Sequence, residues 1–297
     1  MPRSAALASL SETRRDRLLR NPGIRIALAL LMIGIPFAIV AIPFNLYVSD
    51  KILKKAGALL LAVIILGAYR TYVNVVERRS ATELSRTHAI REVGAGLLLG
   101  ALLLSTTIGI LAVLGVYQIA GANGWRAMVA TLPGFILAAA LEEVVMRGVL
   151  FRVLEQSLGS WTALAVSAAL FGLLHVFNPG ATLVSAAAVM VEAGILLAAA
   201  YMLTRSLWFC IGIHLAWNFT EGGVFSAAVS GGVTNGLMQA RLVGPVWLTG
   251  GAFGIETSVV AVVICVAAGL SLLIFARKEG HVIAASWPRS QAAAPAS

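Results

Sequence analysis

About eight apolar stretches, each roughly as long as a bilayer is thick, dominate this chain of 297 residues. A helix needs roughly 20 consecutive apolar residues to cross the hydrocarbon core. Hydrophobic residues make up 59% of the sequence and charged residues only 12%, which excludes an ordinary soluble domain. We therefore predict an all-α polytopic membrane protein, with helices near 24–48, 56–76, 93–119, 129–158, 160–178, 182–204, 206–228 and 257–277.

Basic residues outside these stretches predict how the helices are oriented. With eight helices, three basic segments share one side: the N-terminus with Arg3, Arg14, Arg15, Arg17 and Arg20, the 77–92 loop with Arg78, Arg79, Arg86 and Arg91, and the tail with Arg277, Lys278 and Arg289. The opposite side carries fewer, namely Lys51, Lys54, Lys55, Arg126 and Arg241. Lysine and arginine accumulate on the cytoplasmic side. We therefore expect a protein of the bacterial plasma membrane with both termini in the cytoplasm. We attribute its net charge of +9 to this topology and expect no nucleic-acid binding.

Ionisable residues are concentrated in predicted helices 4 to 7. A charged group at bilayer depth costs a few kcal/mol, so such groups face a protein interior or a water-filled cavity. Either a functional site or a structural ion-pair cluster would explain them. The set comprises Glu142, Glu143, Arg147, His175, Glu192 and His214.

The spacing of the two glutamates gives them different environments. Glu143 and Arg147 stand four residues apart on one helical face, where a carboxylate and a guanidinium pair. Glu142 is rotated by about 100° from that face, free to act as a general base. The alternative is a salt-bridge triad in which both glutamates share Arg147.

The two histidines fall at depths that allow them to meet the glutamates. Glu142 lies 17 residues before Gly159 and His175 lies 15 residues after Ser160, so they are about 25 and about 23 Å from the same turn at about 1.5 Å per residue. His214 and Asn218 share a face of helix 7 and approach the same depth less closely. A carboxylate with an imidazole can deprotonate water, and a histidine with an asparagine can stabilise an oxyanion. These residues therefore indicate amide hydrolysis.

Three motifs on successive helices resemble those of the CAAX prenyl endopeptidases and their prokaryotic relatives, the CPBP or Abi family of intramembrane proteases. They are Glu-Glu-x-x-x-Arg at 142–147, Phe-x-x-x-His at 171–175 and His-x-x-x-Asn at 214–218. Segments HVFNPGAT, WNFTEGG and GGAFGIETS extend the similarity toward residue 258. The resemblance implies that Glu142 and His175 activate water and that His214 and Asn218 bind the oxyanion. Glu143 and Arg147 would support the site, and Phe171 would pack against it and shape the pocket. Glu192 lies outside the three motifs, and we expect it to support the site as well.

The same resemblance implies a peptide or lipidated protein as substrate, within the lipid bilayer. We expect no cofactor. A zinc site of Glu142, His175 and His214 is the alternative, which the absence of a His-Glu-x-x-His segment disfavours. A non-proteolytic immunity or scaffold protein and a proton-coupled transporter are the other functions considered.

The predicted domains are a basic N-terminal segment (1–23), three N-terminal helices (24–128), a catalytic membrane domain (129–280) and a disordered tail (281–297). Within the catalytic domain, the Gly-rich stretch 229–256 is expected to fold back into the membrane surface or to form a lid. Cys210 and Cys265 fall inside predicted helices and are not expected to form a disulfide.

Overall fold

The apolar stretches form long helices in the computed structural model, which describes Leu19 and residues 21–285. In chain order the helices are α1 (Pro22–Tyr47), α2 (Lys51–Val75), α3 (Ala89–Val113), α4 (Trp125–Glu143), α5 (Arg152–Leu174), α6 (Leu183–Val189), α7 (Ile195–Thr204), α8 (Leu207–Asn218), α9 (Val246–Thr249) and α10 (Val259–Lys278). Wide π-helical turns continue three of them without a break, at Val144–Phe151 after α4, Met190–Gly194 after α6 and Phe219–Val224 after α8. Short 3₁₀ turns lie at Thr82–Leu84, His175–Phe177 and Ile255–Thr257.

Six helical runs in the described residues are long and apolar enough to cross a membrane. One of them, Trp125–Phe177, has 53 residues and is two passes, because the backbone of Gly159 leaves the helical conformation at φ 78° and ψ 167°. A Cβ atom at Gly159 would lie 2.6 Å from the backbone nitrogen of Ala285, so only glycine fits this turn. With the run at 207–224, eight helical passes result, which confirms the predicted all-α membrane fold.

Capping explains why α1 and α2 begin where they do. The side chain of Asn21 accepts hydrogen bonds from the backbone of Gly23 and Ile24, and Pro22 occupies the first turn of α1. Asp50 caps α2 in the same way, so that helix begins at Lys51, five residues before its predicted start.

A buried ion-pair network joins the ends of several helices on the side predicted to be basic. Glu77 pairs with Arg25 of α1 at 2.6 Å, with Arg79 at 2.9 Å and with Arg152 of α5 at 2.9 Å. Burial alone would raise the pKa of Glu77, but hydrogen bonds and positive charge from Arg152 and Arg25 outweigh it and lower the pKa to about 2. Tyr69 donates a hydrogen bond to Glu83, a second acceptor for Arg79.

The described start of the tail packs on this same end. Ile283 exchanges two hydrogen bonds with Ser160, at 2.8 and 2.9 Å, and Nδ1 of His281 bonds the carbonyl of Leu203 at 2.7 Å. The prediction of a disordered tail from residue 281 was therefore wrong for 281–285, because the turn at Gly159 and Ser160 offers these residues backbone and side-chain hydrogen-bond partners. Residues 286–297 and the basic N-terminal segment up to residue 18 lie outside the described residues.

At the opposite end the chain forms a small antiparallel sheet that was not predicted. Strand β1 (Tyr117–Ala122) pairs with β2 (Met238–Leu242), with Tyr117 opposite Leu242. The third predicted helix was too long at its end, since α3 stops at Val113 and β1 follows. The stretch 229–256 contains β2 and α9, and a hydrogen bond from the nitrogen of Gly231 to the carbonyl of Phe253 at 2.6 Å joins its two ends.

Glycines bring α3 and α8 into backbone contact. A Cβ atom added to Gly96 would lie 2.3 Å from the carbonyl oxygen of Phe209, and one added to Gly212 would lie 2.6 Å from that of Val93. Gly100 approaches Ile213 in the same way. Small residues at four-residue spacing let membrane helices pack this closely. The helix that carries His214 is thus fixed against α3.

Candidate active site

Glu143 lies at the centre of a buried cluster of charged side chains between α4 and α8. Its Oε1 accepts a hydrogen bond from Arg147 at 2.9 Å and lies 2.8 Å from Nδ1 of His214. Glu143 is 0% exposed and Arg147 is 1% exposed. The predicted pairing of Glu143 with Arg147 is confirmed, whereas the bond from His214 to the same carboxylate was not foreseen. The triad in which Arg147 serves both glutamates is absent from the described ion pairs.

Glu142 lies on the other side of the His214 ring. Its Oε2 is 3.8 Å from Nε2 of His214, too far for a direct hydrogen bond, and this oxygen has no hydrogen-bond partner among the described residues. The Glu142 side chain is 34% exposed, in contrast to Glu143. The two adjacent glutamates therefore occupy the different environments that their helical spacing predicted.

Phe171 of α5 packs among three side chains of the cluster. The Arg147 guanidinium lies over its ring at 4.7 Å, the His175 ring is 4.7 Å away and the His214 ring 6.2 Å away. A cation above an aromatic face and an edge-on ring are both favourable arrangements. Phe171 is 3% exposed. Its predicted position as a packing residue of the site agrees with these contacts.

The tautomer of His175 follows from its hydrogen bond to the backbone. Nδ1 of His175 lies 2.7 Å from the carbonyl oxygen of Phe171, and a carbonyl oxygen only accepts. Nδ1 therefore carries a hydrogen, and Nε2 of the neutral ring is an acceptor. His175 and Glu142 line one cavity of about 680 Å³, together with Leu141, Val145, Met146, Phe171, Leu174 and Asn178.

A second cavity of about 410 Å³ adjoins the first at Phe171 and His175. Its polar wall brings together residues that are far apart in sequence: His175, Glu192, His214, Asn218, Ser230 and Glu256. The structure thus gathers every predicted site residue around these two cavities, either in the walls or, for Glu143 and Arg147, directly behind them. Glu192 is buried, with Sγ of Cys265 at 3.7 Å from its Oε1.

Sequence reasoning missed Ser230, Glu221 and Glu256. Glu221 and Glu256 stand in the segments WNFTEGG and GGAFGIETS, whose similarity to the family pattern was noted without singling out either glutamate. A carboxyl group inside an apolar, Gly-rich segment was the available signal. The π turns at 144–151, 190–194 and 219–224 were also missed, although they follow Glu143, contain Glu192 and follow Asn218, and such turns concentrate at functional sites.

The described side chains do not form a metal site. No group of three or more His, Cys, Asp or Glu in the described ranges is arranged to hold an ion. For the zinc alternative, Nδ1 of His214 is engaged by Glu143 and Nδ1 of His175 by the Phe171 carbonyl. Each ring retains Nε2, the single nitrogen that a metal-binding histidine supplies, but Glu142, His175 and His214 are not grouped closely enough in the structure to hold an ion. Cys210 and Cys265 are both free and buried, as predicted.

A comparison with protein families supports the interpretation of the three motifs. Residues 124–220 match the model of the family described as Type II CAAX prenyl endopeptidase Rce1-like. No curated protein and no solved structure matches the chain. The matched segment runs from the start of α4 past Asn218 and includes Glu142, His175 and His214. Residues 124–220, about a third of the chain, are therefore similar to the CAAX protease, or CPBP, family of membrane proteins.

Proposed function

We propose that this protein is an intramembrane endopeptidase that hydrolyses a peptide bond with a water molecule activated by Glu142 and His175. The observation that carries the proposal is the convergence of Glu142, His175, His214 and Asn218 around two joined cavities inside a helical bundle. Glu142 stands outside the ion pair of Glu143 and Arg147. It is partly exposed, has a buried oxygen without a partner among the described residues and lies beside open space.

Water activation falls to the two acceptors that face the larger cavity. Nε2 of His175 is an acceptor because Nδ1 is bound to the Phe171 carbonyl, and Glu142 contributes a carboxylate oxygen. A water molecule held between two such acceptors is oriented by one and deprotonated by the other. We assign the proton transfer to Glu142, whose Oε2 has no other hydrogen-bond partner among the described residues, and the orientation of the water to Nε2 of His175.

Oxyanion stabilisation is assigned to His214 and Asn218, which lie one helical turn apart on α8. Both side chains line the smaller cavity. His214 donates through Nδ1 to Glu143, so that protonation at Nε2 would give it a second hydrogen bond to offer toward the cavity. The Asn218 carboxamide supplies another donor. Donors aimed at the position of the developing negative charge are the main source of rate enhancement in acyl transfer.

The substrate proposed is a peptide or lipidated protein that reaches the site from the membrane. The larger cavity has apolar walls at Leu141, Val145, Met146 and Leu174, which suit an acyl or prenyl chain or an apolar side chain better than a charged one.

The proposed orientation has both termini in the cytoplasm. Reporter enzymes fused after Lys278 and within 79–90 should report cytoplasm, and one placed near residue 235 should report the opposite side.

The decisive experiment compares wild-type protein with E142Q on a peptide that ends in a farnesylated cysteine followed by three aliphatic residues. Mass spectrometry of the products identifies the bond that is cut. We expect E142Q to eliminate cleavage with expression and detergent stability nearly unchanged, because the substitution is isosteric and removes only the proton acceptor. E279Q, at an exposed glutamate just after the last helix, is the matched control. Activity of E142Q above about a tenth of wild type would contradict the assignment.

The zinc alternative is tested on the same protein. We expect purified protein to contain no stoichiometric zinc and cleavage to survive a chelator. Stoichiometric zinc, together with activity that is lost to the chelator and restored by Zn²⁺, would replace the glutamate mechanism and make His214 a ligand.

A further inference from the structure

Three carboxyl groups that the proposed mechanism does not use lie together at one side of the smaller cavity. Glu192 comes from the π turn after α6, Glu221 from the π turn after α8, and Glu256 from the 3₁₀ turn before α10. None is more than 5% exposed. The backbone nitrogen of Glu256 donates to Oε1 of Glu221 at 3.3 Å, which fixes the turn against α8. Glu192 and Glu256 also line the cavity.

No arginine or lysine in the described part of the chain forms an ion pair with this cluster. Among the described ion pairs, none involves Glu192, Glu221 or Glu256, whereas Arg147 is paired with Glu143 and His214 lies between Glu142 and Glu143. Three ionised carboxylates without a counter-ion in a buried site would each cost several kcal/mol. The cluster therefore holds at least one proton in place of a cation.

Glu256 is the member placed to use such a proton. Ser230 hydrogen-bonds the Glu256 carboxyl group, which holds it in place, while Oε1 of Glu256 has no partner among the described residues. His214 and Asn218 line the same cavity, so a carbonyl oxygen bound by those two donors would bring the adjoining amide nitrogen to this wall. Glu221 is not in the cavity wall, and Glu192 has Cys265 as a contact.

Amide hydrolysis needs an acid as well as a base. When the C–N bond of the tetrahedral intermediate breaks, its electron pair goes to nitrogen, and an amide anion is a very poor leaving group unless it is protonated in that step. Glu142, in the wall of the larger cavity, takes its proton from the attacking water. We propose that Glu256 is the general acid that protonates the leaving nitrogen, an inference that rests on the endopeptidase function proposed above.

The proton balance closes with water as the only other reactant. Water gives its oxygen to the acyl carbon and one proton to Glu142, and the tetrahedral intermediate collapses as Glu256 gives its proton to nitrogen. The products are a carboxyl group and an amine. Glu142 is then protonated and Glu256 ionised, and one proton passed between them through solvent restores both groups.

The test compares two leaving groups that differ in how much they need to be protonated. The farnesylated peptide is compared with its depsipeptide, in which oxygen replaces the scissile amide nitrogen, because an alkoxide leaves with much less need of protonation. We expect E256Q to lower kcat for the amide on the order of 10²-fold, with KM little changed, and to lower kcat for the ester less than about tenfold. E142Q should be inactive on both, since both require activated water. That difference separates a failure of the acid from a failure of the proposed function.

Two outcomes would overturn the assignment to Glu256. One is an equal loss of amide and ester turnover in E256Q, which a merely structural role would produce. The other is a selective loss of amide cleavage in E192Q but not in E256Q, which would move the role to Glu192.

A readout independent of substrate is the infrared C=O band of a protonated carboxyl group. E256Q should lack a band at neutral pH that the wild type and E279Q both have, and an unchanged band pattern would contradict the proposal.

Discussion

Nδ1 of His214 lies 2.8 Å from Oε1 of Glu143, the same oxygen that accepts a hydrogen bond from Arg147 at 2.9 Å. Arg147 in turn donates to the backbone carbonyls of Ala193 and Gly194, each at 3.3 Å. One carboxylate oxygen therefore connects α4 to α8, and through Arg147 to the π turn that contains Glu192. The motifs Glu-Glu-x-x-x-Arg and His-x-x-x-Asn are joined at this atom.

We expect E143Q to destabilise the protein as well as to lower its rate of peptide cleavage. Removing one partner of a fully buried ion pair leaves an uncompensated charge, here on Arg147, which costs about 3–5 kcal/mol. E142Q is the matched comparison, because it alters the adjacent residue with the same chemistry at a partly exposed position. Thermal unfolding in detergent should occur at a clearly lower temperature for E143Q than for E142Q. Equal shifts in the two melting temperatures would contradict the division of roles between the glutamates.

Loss of either proposed oxyanion donor should reduce turnover without weakening substrate binding. We expect H214A and N218A each to lower kcat on the order of 10²-fold with KM little changed, because the oxyanion exists only after water has attacked. H88A, at an exposed histidine, is the control. Initial-rate kinetics on the farnesylated peptide provide the measurement. A rise in KM at constant kcat would instead assign His214 or Asn218 to ground-state binding.

Phe171 is expected to affect both stability and rate. Truncation to alanine removes a buried ring from between the Arg147 guanidinium and two imidazoles, and such changes cost about 3–5 kcal/mol. F177A removes a ring that is 86% exposed, six residues further along the chain, and should change neither property. F171L should recover most of the stability lost in F171A but less of the activity, because leucine fills space without orienting His175. Melting curves and peptide cleavage distinguish these effects.

The Glu77 network predicts a specific acid sensitivity. The folded pKa of Glu77 is about 2, below its ordinary value of 4.5. A group with a lowered folded pKa stabilises the fold above its unfolded pKa and loses that contribution as the pH falls through the folded value. The stabilisation should therefore be complete above about pH 5 and decline toward pH 2. As the pH is lowered across this range, the melting temperature should fall less steeply for E77Q than for wild type. For E279Q it should fall as steeply as for wild type. Identical slopes in E77Q and wild type would contradict the prediction.

The number of helical passes could be predicted because a helix that crosses the bilayer needs about 20 consecutive apolar residues, and such stretches are visible in the sequence. It also predicted that Glu143 pairs with Arg147, since four-residue spacing fixes neighbours on one helix. Bonds between helices were harder to predict. The contact from His214 to Glu143 depends on how α8 is rotated against α4, and the π turn after Glu143 adds a twist that α-helical spacing does not contain. Glu256 was missed for a related reason, since an irregular turn brings it to the cavity and no periodicity marks it.

The glycine contacts between α3 and α8 bear on how much of the chain is needed for activity. The family match begins at residue 124, yet the wall against which α8 rests is built from Gly96 and Gly100. A protein trimmed to the matched segment would expose the backbone of α8 to lipid and release the helix that aims His214. Helix α3 is thus a structural part of the proposed catalytic unit rather than a detachable anchor. In a distant relative, pairs of small residues on the helix before the first motif would identify the corresponding element even where no other sequence similarity remains.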